Sequence, residues 1–152
     1  MDFTFTEDQL LFQQSVREFL VNEITPEKLR ASWDTDTGRS DEMWSQLTEL
    51  GLTGLTVPEE FGGLGMSELD FVLLAQECGY VALNEPLVHS VLVATPLLLS
   101  IDNIELKQTW LPKIASGEAK VVVGVEENGL VEDAHIADLL LLQCGDEIHA
   151  VE

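Results

Sequence analysis

The stretch 51-GLTGLTVPEEFGGLGM-66 decides how the fold must be organised. Between Gly54 and Gly65 it holds four glycines and one proline, so the sequence predicts an irregular, tightly folded connection. Helical patterns lie on both sides of it. The pattern before it ends at Gly51, which suits the left-handed residue after a helix, and the next begins at Ser67.

Three helices are predicted before this connection. Thr6 and Gln9 form a capping box at the start of an apolar pattern of period 3.6, which predicts a helix over 7–23. Its apolar face holds Phe12, Val16, Phe19 and Leu20. Pro26 opens a second, short helix. A third helix starts at Ser40 and ends at Gly51.

Three further helices are predicted after it. Ser67 and Asp70 cap a helix over 68–80 that is apolar nearly all round, so we expect it to be central in the fold. Pro86 suits the first turn of an apolar helix that ends near Ser100. Asn103 caps one more helix, which ends at Gly117.

The pattern changes to β-type runs at Glu118. Short apolar runs at 121–123 and 136–142 predict strands, and Asp146-Glu147 predicts a turn before a last strand over 148–151. The predicted class is therefore mainly α. A helical domain of five or six helices spans 1–117, and 118–152 holds a few β-strands of an incomplete middle domain. A strand at the last residue predicts that the natural fold continues or that a partner completes the sheet.

Charge limits the possible partners. Seven Lys and Arg stand against 28 Asp and Glu, giving a formal net charge of −21. This excludes nucleic acid and anionic membranes as partners, because both require basic patches. A basic partner, a basic missing domain or a salty environment would relieve the self-repulsion. A solvated acidic surface without specific meaning is the plainer interpretation.

Cysteine use points to a reducing compartment. Cys78 and Cys144 are far apart, there is no CxxC motif and there is no His/Cys cluster, so no metal site is predicted. Isolated thiols without a secretory signal predict a cytoplasmic location. The longest apolar stretch, around 86–101, is interpreted as a buried helix of a soluble fold and not as a membrane span.

Three segments resemble the acyl-CoA dehydrogenase family, and they occur in the family's order. Residues 51–66 resemble its first signature. Residues 107–118, KQTWLPKIASGE, resemble its last amino-terminal helix and the exit into its sheet domain. Residues 137–142, ADLLLL, resemble a strand inside that domain. The resemblance covers nearly the whole chain and implies the amino-terminal helical domain followed by the start of the middle domain.

The resemblance implies FAD-dependent oxidation of acyl-CoA thioesters to enoyl-CoA. In the family a carboxylate removes a proton α to the thioester carbonyl, FAD takes the β-hydride, and a separate acceptor receives the electrons. The family's base lies in a carboxy-terminal helical domain that this sequence does not contain. Glu59 and Glu60 match the structural loop and not the base, so we assign no catalytic residue.

The flavin motif of the family is eroded here. In the family the strand after the last helix ends in Thr-Glu-Pro, and a small-residue loop and a Trp-containing strand follow and wrap the flavin ring. Val125 stands at the threonine position and only Glu126 survives, so these two are the remaining cofactor-binding candidates. The loop and the Trp-containing strand are missing before Ala137. Because Val125 has no hydroxyl to donate, we expect this chain alone not to bind FAD.

Substrate recognition is equally reduced. The seven basic residues are scattered and offer no cluster for the phosphates of CoA. In the family the helices matching 68–80 and 86–100 wall the acyl pocket, so Leu73, Val91 and Leu98 are the pocket candidates, with core packing as the alternative for each. His89 is a lone histidine on an apolar helix and is expected to be packed or partly exposed.

Two functional hypotheses remain open. The first is an acyl-CoA dehydrogenase-like chain that is catalytically incomplete. It would be a truncated product, or a degenerate subunit in a homo- or hetero-oligomer with a more complete dehydrogenase subunit. The second is a helical interaction module that kept the fold, lost all ligands and binds only protein.

Overall fold

The computed structural model describes residues 4–125 and 129–152. Over these residues six helices precede three strands, which confirms the mainly α class. The helices are α1 (Glu7–Glu23), α2 (Pro26–Trp33), α3 (Asp41–Glu49), α4 (Glu68–Tyr80), α5 (the continuous pieces Leu87–His89, Ser90–Ala94 and Thr95–Ser100) and α6 (Ile104–Ala115). The strands are β1 (Val121–Gly124), β2 (Leu139–Cys144) and β3 (Glu147–Val151). Short 3-10 helices occur at Glu59–Phe61 and Ala134–Ile136.

Local capping chemistry sets most helix starts. The Thr6 side chain accepts from the Gln9 N–H and completes the expected capping box. Ser40 and Asn103 accept from the third helical N–H of α3 and α6 in the same way. None of these helices is both long and apolar enough, within the described residues, to cross a bilayer.

One compact unit combines 4–39 with 67–84 and contains α1, α2 and α4. A ladder of polar contacts joins α1 to α4. Gln9 Nε2 donates to Asp70 Oδ1 at 2.6 Å, and Gln13 Nε2 donates to Glu77 Oε1 at 2.7 Å. Arg17 lies 3.5 Å from the other oxygen of the buried Glu77. Successive α1 positions four residues apart share one face, which is why they reach the same neighbouring helix.

This packing shifts two pKa values in the unit. The hydrogen bond from Gln9, with those from Ser67, holds the pKa of Asp70 below its usual value. Burial raises the pKa of the Cys78 thiol to about 11, so this cysteine remains a protonated core residue at neutral pH.

We expected α4 to be central because its sequence is apolar nearly all round, but part of its apolar surface is exposed. Its buried residues are Phe71, Leu73, Leu74, Glu77 and Cys78. Leu69 and Val72 lie outside this set and are 68% and 47% exposed. Apolar composition alone therefore overstated the burial of α4, because only one face of the helix packs.

The second unit combines 40–66 with 85–125 and 129–152. Its core brings together residues of the glycine-rich connection, α5, α6, β1 and β2: Val57, Ala94, Leu98, Trp110, Leu111, Ile114, Ala119, Val121, Val123, Leu139 and Leu141. Trp44 of α3 donates its indole N–H to the Gly117 carbonyl at 2.8 Å, and so ties the start of the sheet segment to α3. The division into domains at residue 117 stays a prediction.

The glycine-rich connection is tightly folded, as expected. The backbone N–H groups of Leu64, Gly65 and Met66 return to the carbonyls of Gly54, Val57 and Leu55 at 2.8–2.9 Å. This return brings the backbone of Gly63 directly against Val57. A Cβ at position 63 would lie 2.1 Å from the Val57 oxygen, so only glycine fits there.

The sheet has the order β1-β2-β3, with β1 parallel to β2 and β2 antiparallel to β3. The strand expected from Ile136 begins only at Leu139, because Ile136 lies in a 3-10 helix. Asp138 marks the entry to the sheet: its carboxylate accepts from the Lys120 N–H at 2.8 Å. The turn before β3 is Gly145-Asp146, and Glu147 is already in the strand.

Replacing Gly63 tests this packing. Gly63→Ala should lower the free energy of unfolding by about 1–3 kcal/mol, since the new methyl group overlaps the Val57 backbone. Gly79→Ala is the matched control, because nothing lies within 4 Å of that Cβ and the position is helical. Urea denaturation of both variants measures the difference. Equal stabilities for Gly63→Ala and the parent chain would contradict the described connection.

Candidate functional site: the carboxyl end of β1 and the π turn of α5

The π turn of α5 has an identifiable cause. The Thr95 N–H bonds to the Ser90 carbonyl, five residues back, and the Thr95 hydroxyl donates to the same oxygen at 3.0 Å. The next residue, Pro96, has no N–H to offer to the Val91 carbonyl. The Thr56 hydroxyl donates to that carbonyl instead, at 2.8 Å. The glycine-rich connection thus supplies the hydrogen bond that proline removes.

His89 lies immediately before the π turn and contacts the free edge of β1 through one hydrogen bond. Its Nε2 accepts from the Val123 N–H at 3.1 Å. A ring nitrogen that accepts carries no proton, so this geometry assigns the proton of neutral His89 to Nδ1. The sequence placed this half-buried histidine on an apolar helix, but its strand partner is 34 residues away and left no local signal.

The carboxyl end of β1 is filled by the chain's own side chains. A Cβ built on Gly124 would lie 2.6 Å from Val131 and 2.9 Å from Leu142, so both side chains cover this glycine. Val131 belongs to the segment that returns from β1 to β2. Its packing on Gly124 could not be read from the sequence.

The two cofactor-binding candidates fall at this end of the strand. Val125 directly follows β1 and is 57% exposed. Glu126 lies outside the described residues. FAD is the group that the family motif implies, and the polar edge of its ring requires hydrogen-bond donors. The Val125 side chain has none, the Val123 N–H is taken by His89, and Gly124 is covered. These residues do not fit a flavin ring.

The substrate-pocket candidates belong to both units. Val91 and Leu98 lie on α5, seven residues apart, and both are fully buried. Leu98 belongs to the core of the second unit. Leu73 is 7% exposed on α4, in the other unit. Core packing accounts for these positions, and an acyl-binding role for any of them stays a prediction.

The exposed carboxylates of the glycine-rich connection are not grouped with other potential ligands within the described residues. Glu59 and Glu60 lie exposed in a one-turn 3-10 helix. Within 4–125 and 129–152, no three His, Cys, Asp or Glu side chains are arranged to hold a metal ion.

Solved structures share this arrangement of helices and opening sheet. The ChsE4–ChsE5 complex from Mycobacterium tuberculosis matches 99% of this chain and 48% of its own, with a TM-score of 0.85 and 23% identity. An acyl-CoA dehydrogenase from Geobacillus kaustophilus matches all of this chain and 50% of its own, with a TM-score of 0.82 and 21% identity. At these identities the likeness shows the fold, which is that of the acyl-CoA dehydrogenase amino-terminal region.

Sequence comparison shows the family in addition to the fold. The family described as "Acyl-CoA dehydrogenase, N-terminal domain" matches residues 6–118. The chain belongs to the acyl-CoA dehydrogenase family. It is 31% identical over 151 residues to the probable acyl-CoA dehydrogenase YngJ of Bacillus subtilis, covering 97% of this chain and 39% of that protein. It is 40% identical over 79 residues to (2S)-methylsuccinyl-CoA dehydrogenase of Cereibacter sphaeroides, covering 51% of this chain and 14% of that one. The chain therefore spans well under half the length of these relatives.

The Thr56 bond can be tested without changing side-chain volume. Thr56→Val should cost about 1–3 kcal/mol of stability, because the buried Val91 carbonyl loses its donor. Thr56→Ser keeps a hydroxyl and should retain most of the stability. Thermal and urea unfolding of the two variants distinguish the stability contributed by the hydrogen bond from that contributed by the methyl group. If the serine variant loses as much stability as the valine variant, the hydroxyl is not what supports the π turn.

Proposed function

We propose that this chain supplies the helical scaffold of an acyl-CoA dehydrogenase assembly and does not hold flavin on its own. The family reaction is the FAD-dependent α,β-oxidation of acyl-CoA to enoyl-CoA. In this proposal the flavin and the catalytic base belong to a more complete dehydrogenase subunit, with which this chain forms a homo- or hetero-oligomer.

The proposal rests on the covered carboxyl end of β1. This is where the family's flavin motif falls, and here it presents Val125 in place of a threonine. The neighbouring backbone donor is already bonded to His89, and the neighbouring glycine is already covered by Val131. Each of these features removes a group or a space that a flavin ring would use.

Retention of the scaffold supports the proposed association with a more complete dehydrogenase subunit. The connection 51–66 keeps its folded hydrogen-bond pattern, and α5 and α6 keep a well-packed core. The structurally similar ChsE4–ChsE5 protein is described as a complex. A chain that keeps the fold while closing the cofactor end is suited to complementing another subunit.

Flavin retention is the direct test. The purified chain should not retain added FAD after gel filtration, and should not oxidise butyryl-CoA with an artificial electron acceptor. Val125→Thr restores the hydroxyl of the family motif, with Val125→Ile as the control of similar size. We expect neither variant to become yellow, because Gly124 stays covered in both. A flavin-bearing chain that oxidises butyryl-CoA without any partner would refute the proposal.

Calorimetry separates the scaffold proposal from a ligand-free interaction module. The chain is first combined with a flavin-containing family member, and butyryl-CoA is then titrated into the mixture and into each component. If the mixture gives more binding heat than the sum of the two components, this chain contributes to a shared acyl-CoA site. A complex that forms but shows no additional heat would favour pure protein interaction.

A further inference from the structure

The backbone N–H of Val123 points away from the neighbouring strand. At the entry to the sheet, the Lys120 N–H donates to the Asp138 carboxylate and the Lys120 carbonyl accepts from the Asp138 N–H, so the backbone of Lys120 faces β2. Backbone groups alternate sides along a strand, so Val122 and Gly124 face β2 as well and Val123 faces the other way. On that side the His89 ring accepts the Val123 N–H at 3.1 Å.

Val123 has little access to water that could replace the histidine. The residue is 6% exposed and belongs to the core of the second unit. A buried backbone N–H that loses its acceptor is unfavourable, because the donor has already given up its bond to water. The bond to His89 therefore helps to hold the carboxyl end of β1 in place.

Only one charge state of His89 can make this bond. Nε2 accepts when the ring is neutral and carries its proton on Nδ1. An imidazolium carries a proton on both nitrogens, and it would direct an N–H group at the N–H of Val123. Histidine is the side chain whose charge ordinarily changes between about pH 5 and 8. The contact is therefore present while the ring is neutral and is lost as the pH falls and the ring takes up its second proton.

The elements that form the contact hold no further charge. Residues 86–100 and 121–125 contain no Asp, Glu, Lys or Arg, and neither does β2. Charged and titratable residues of the unit that lie on the surrounding elements are Glu59 and Glu60 of the connection, Glu85 before α5, Glu105, Lys107 and Lys113 of α6, and Glu132, Asp133 and His135 of the segment that packs on Gly124. Of these, Glu85 is buried and accepts from the Ser40 N–H at 2.7 Å, and Lys107 donates to the Leu99 carbonyl at 2.8 Å.

We propose that His89 makes the carboxyl end of β1 sensitive to pH: the neutral ring holds the Val123 amide, and the protonated ring releases it. The ring is half-buried, so it can turn toward solvent after it takes up a proton, and water then hydrates the charge. The Val123 amide loses its acceptor and the end of the strand opens more easily. The pairing of Val122 with β2 stays in place. This inference concerns β1 itself and holds whether or not the chain joins a partner subunit.

Hydrogen exchange of the Val123 amide between pH 5 and pH 8 tests this inference. Each rate is divided by the rate of an unstructured amide at the same pH, since exchange itself varies with pH. The protection of Val123 should fall at least tenfold from pH 8 to pH 5, and nitrogen NMR should show that the fall follows protonation of His89 Nε2. The protection of Leu141, in the central strand β2, should change less than twofold.

Two variants separate His89 from the other titratable groups. His89→Gln offers an amide oxygen that accepts but does not titrate, and His89→Phe offers no acceptor. In neither variant should the protection of Val123 depend on pH, and at pH 8 the phenylalanine variant should resemble the parent chain at pH 5.

Four results would overturn the proposal. The first is a pH dependence that persists in either variant, which would assign the effect to groups such as Asp133 or His135. The second is a His89 ring that becomes protonated while the Val123 amide keeps its protection. The third is a ring that is still neutral at pH 5, and the fourth is an equal loss of protection at Leu141. Flavin retention plays no part in these measurements, so the two proposals can fail separately.

Discussion

The hydrogen bond from Thr56 to the Val91 carbonyl is the constraint on which the second unit depends. It joins the glycine-rich connection to α5 at the carbonyl that Pro96 leaves without a donor. The connection can deliver Thr56 because its backbone folds back on itself, and that fold needs glycine at position 63. The π turn secured in this way follows directly after His89, whose ring accepts from β1. The glycine-rich connection thus supports α5, and α5 carries the His89 ring that bonds to the edge of β1.

That chain of contacts explains how family membership is compatible with the proposal that this chain does not hold flavin on its own. The contacts that build the scaffold lie within 51–66, α5 and α6, and these are retained. The changes lie in Val125 and in the segment that places Val131 over Gly124. The scaffold contacts and the expected cofactor-binding positions occupy different stretches of sequence, so a change in the second need not disturb the first.

Local chemistry made much of the fold predictable. The caps at Thr6, Ser40 and Asn103 act within one helical turn, and the helices they start were predicted to within a residue or two. The exposed side of α4 was not predicted, since burial depends on which neighbour a face meets. The resemblance identified the family from 51–66, and the family comparison confirms it.

The candidate site was less predictable, because its contacts join residues far apart in sequence. The pairs His89–Val123 and Thr56–Val91 are separated by 34 and 35 residues. The family resemblance marked Val125 as a departure from the flavin motif, but it carried no information about the packing of Val131 or the strand partner of His89. The ladder from Gln9 and Gln13 to α4 was missed for the same reason.

Nitrogen NMR of His89 at pH 8, combined with hydrogen exchange of the Val123 amide, tests most directly whether His89 occupies the backbone donor at the end of β1. The account predicts a neutral ring with its proton on Nδ1 and an unprotonated Nε2, together with a Val123 amide that is protected from exchange. A proton on Nε2 with a rapidly exchanging Val123 amide would show that the β1 edge is open, and would contradict the account.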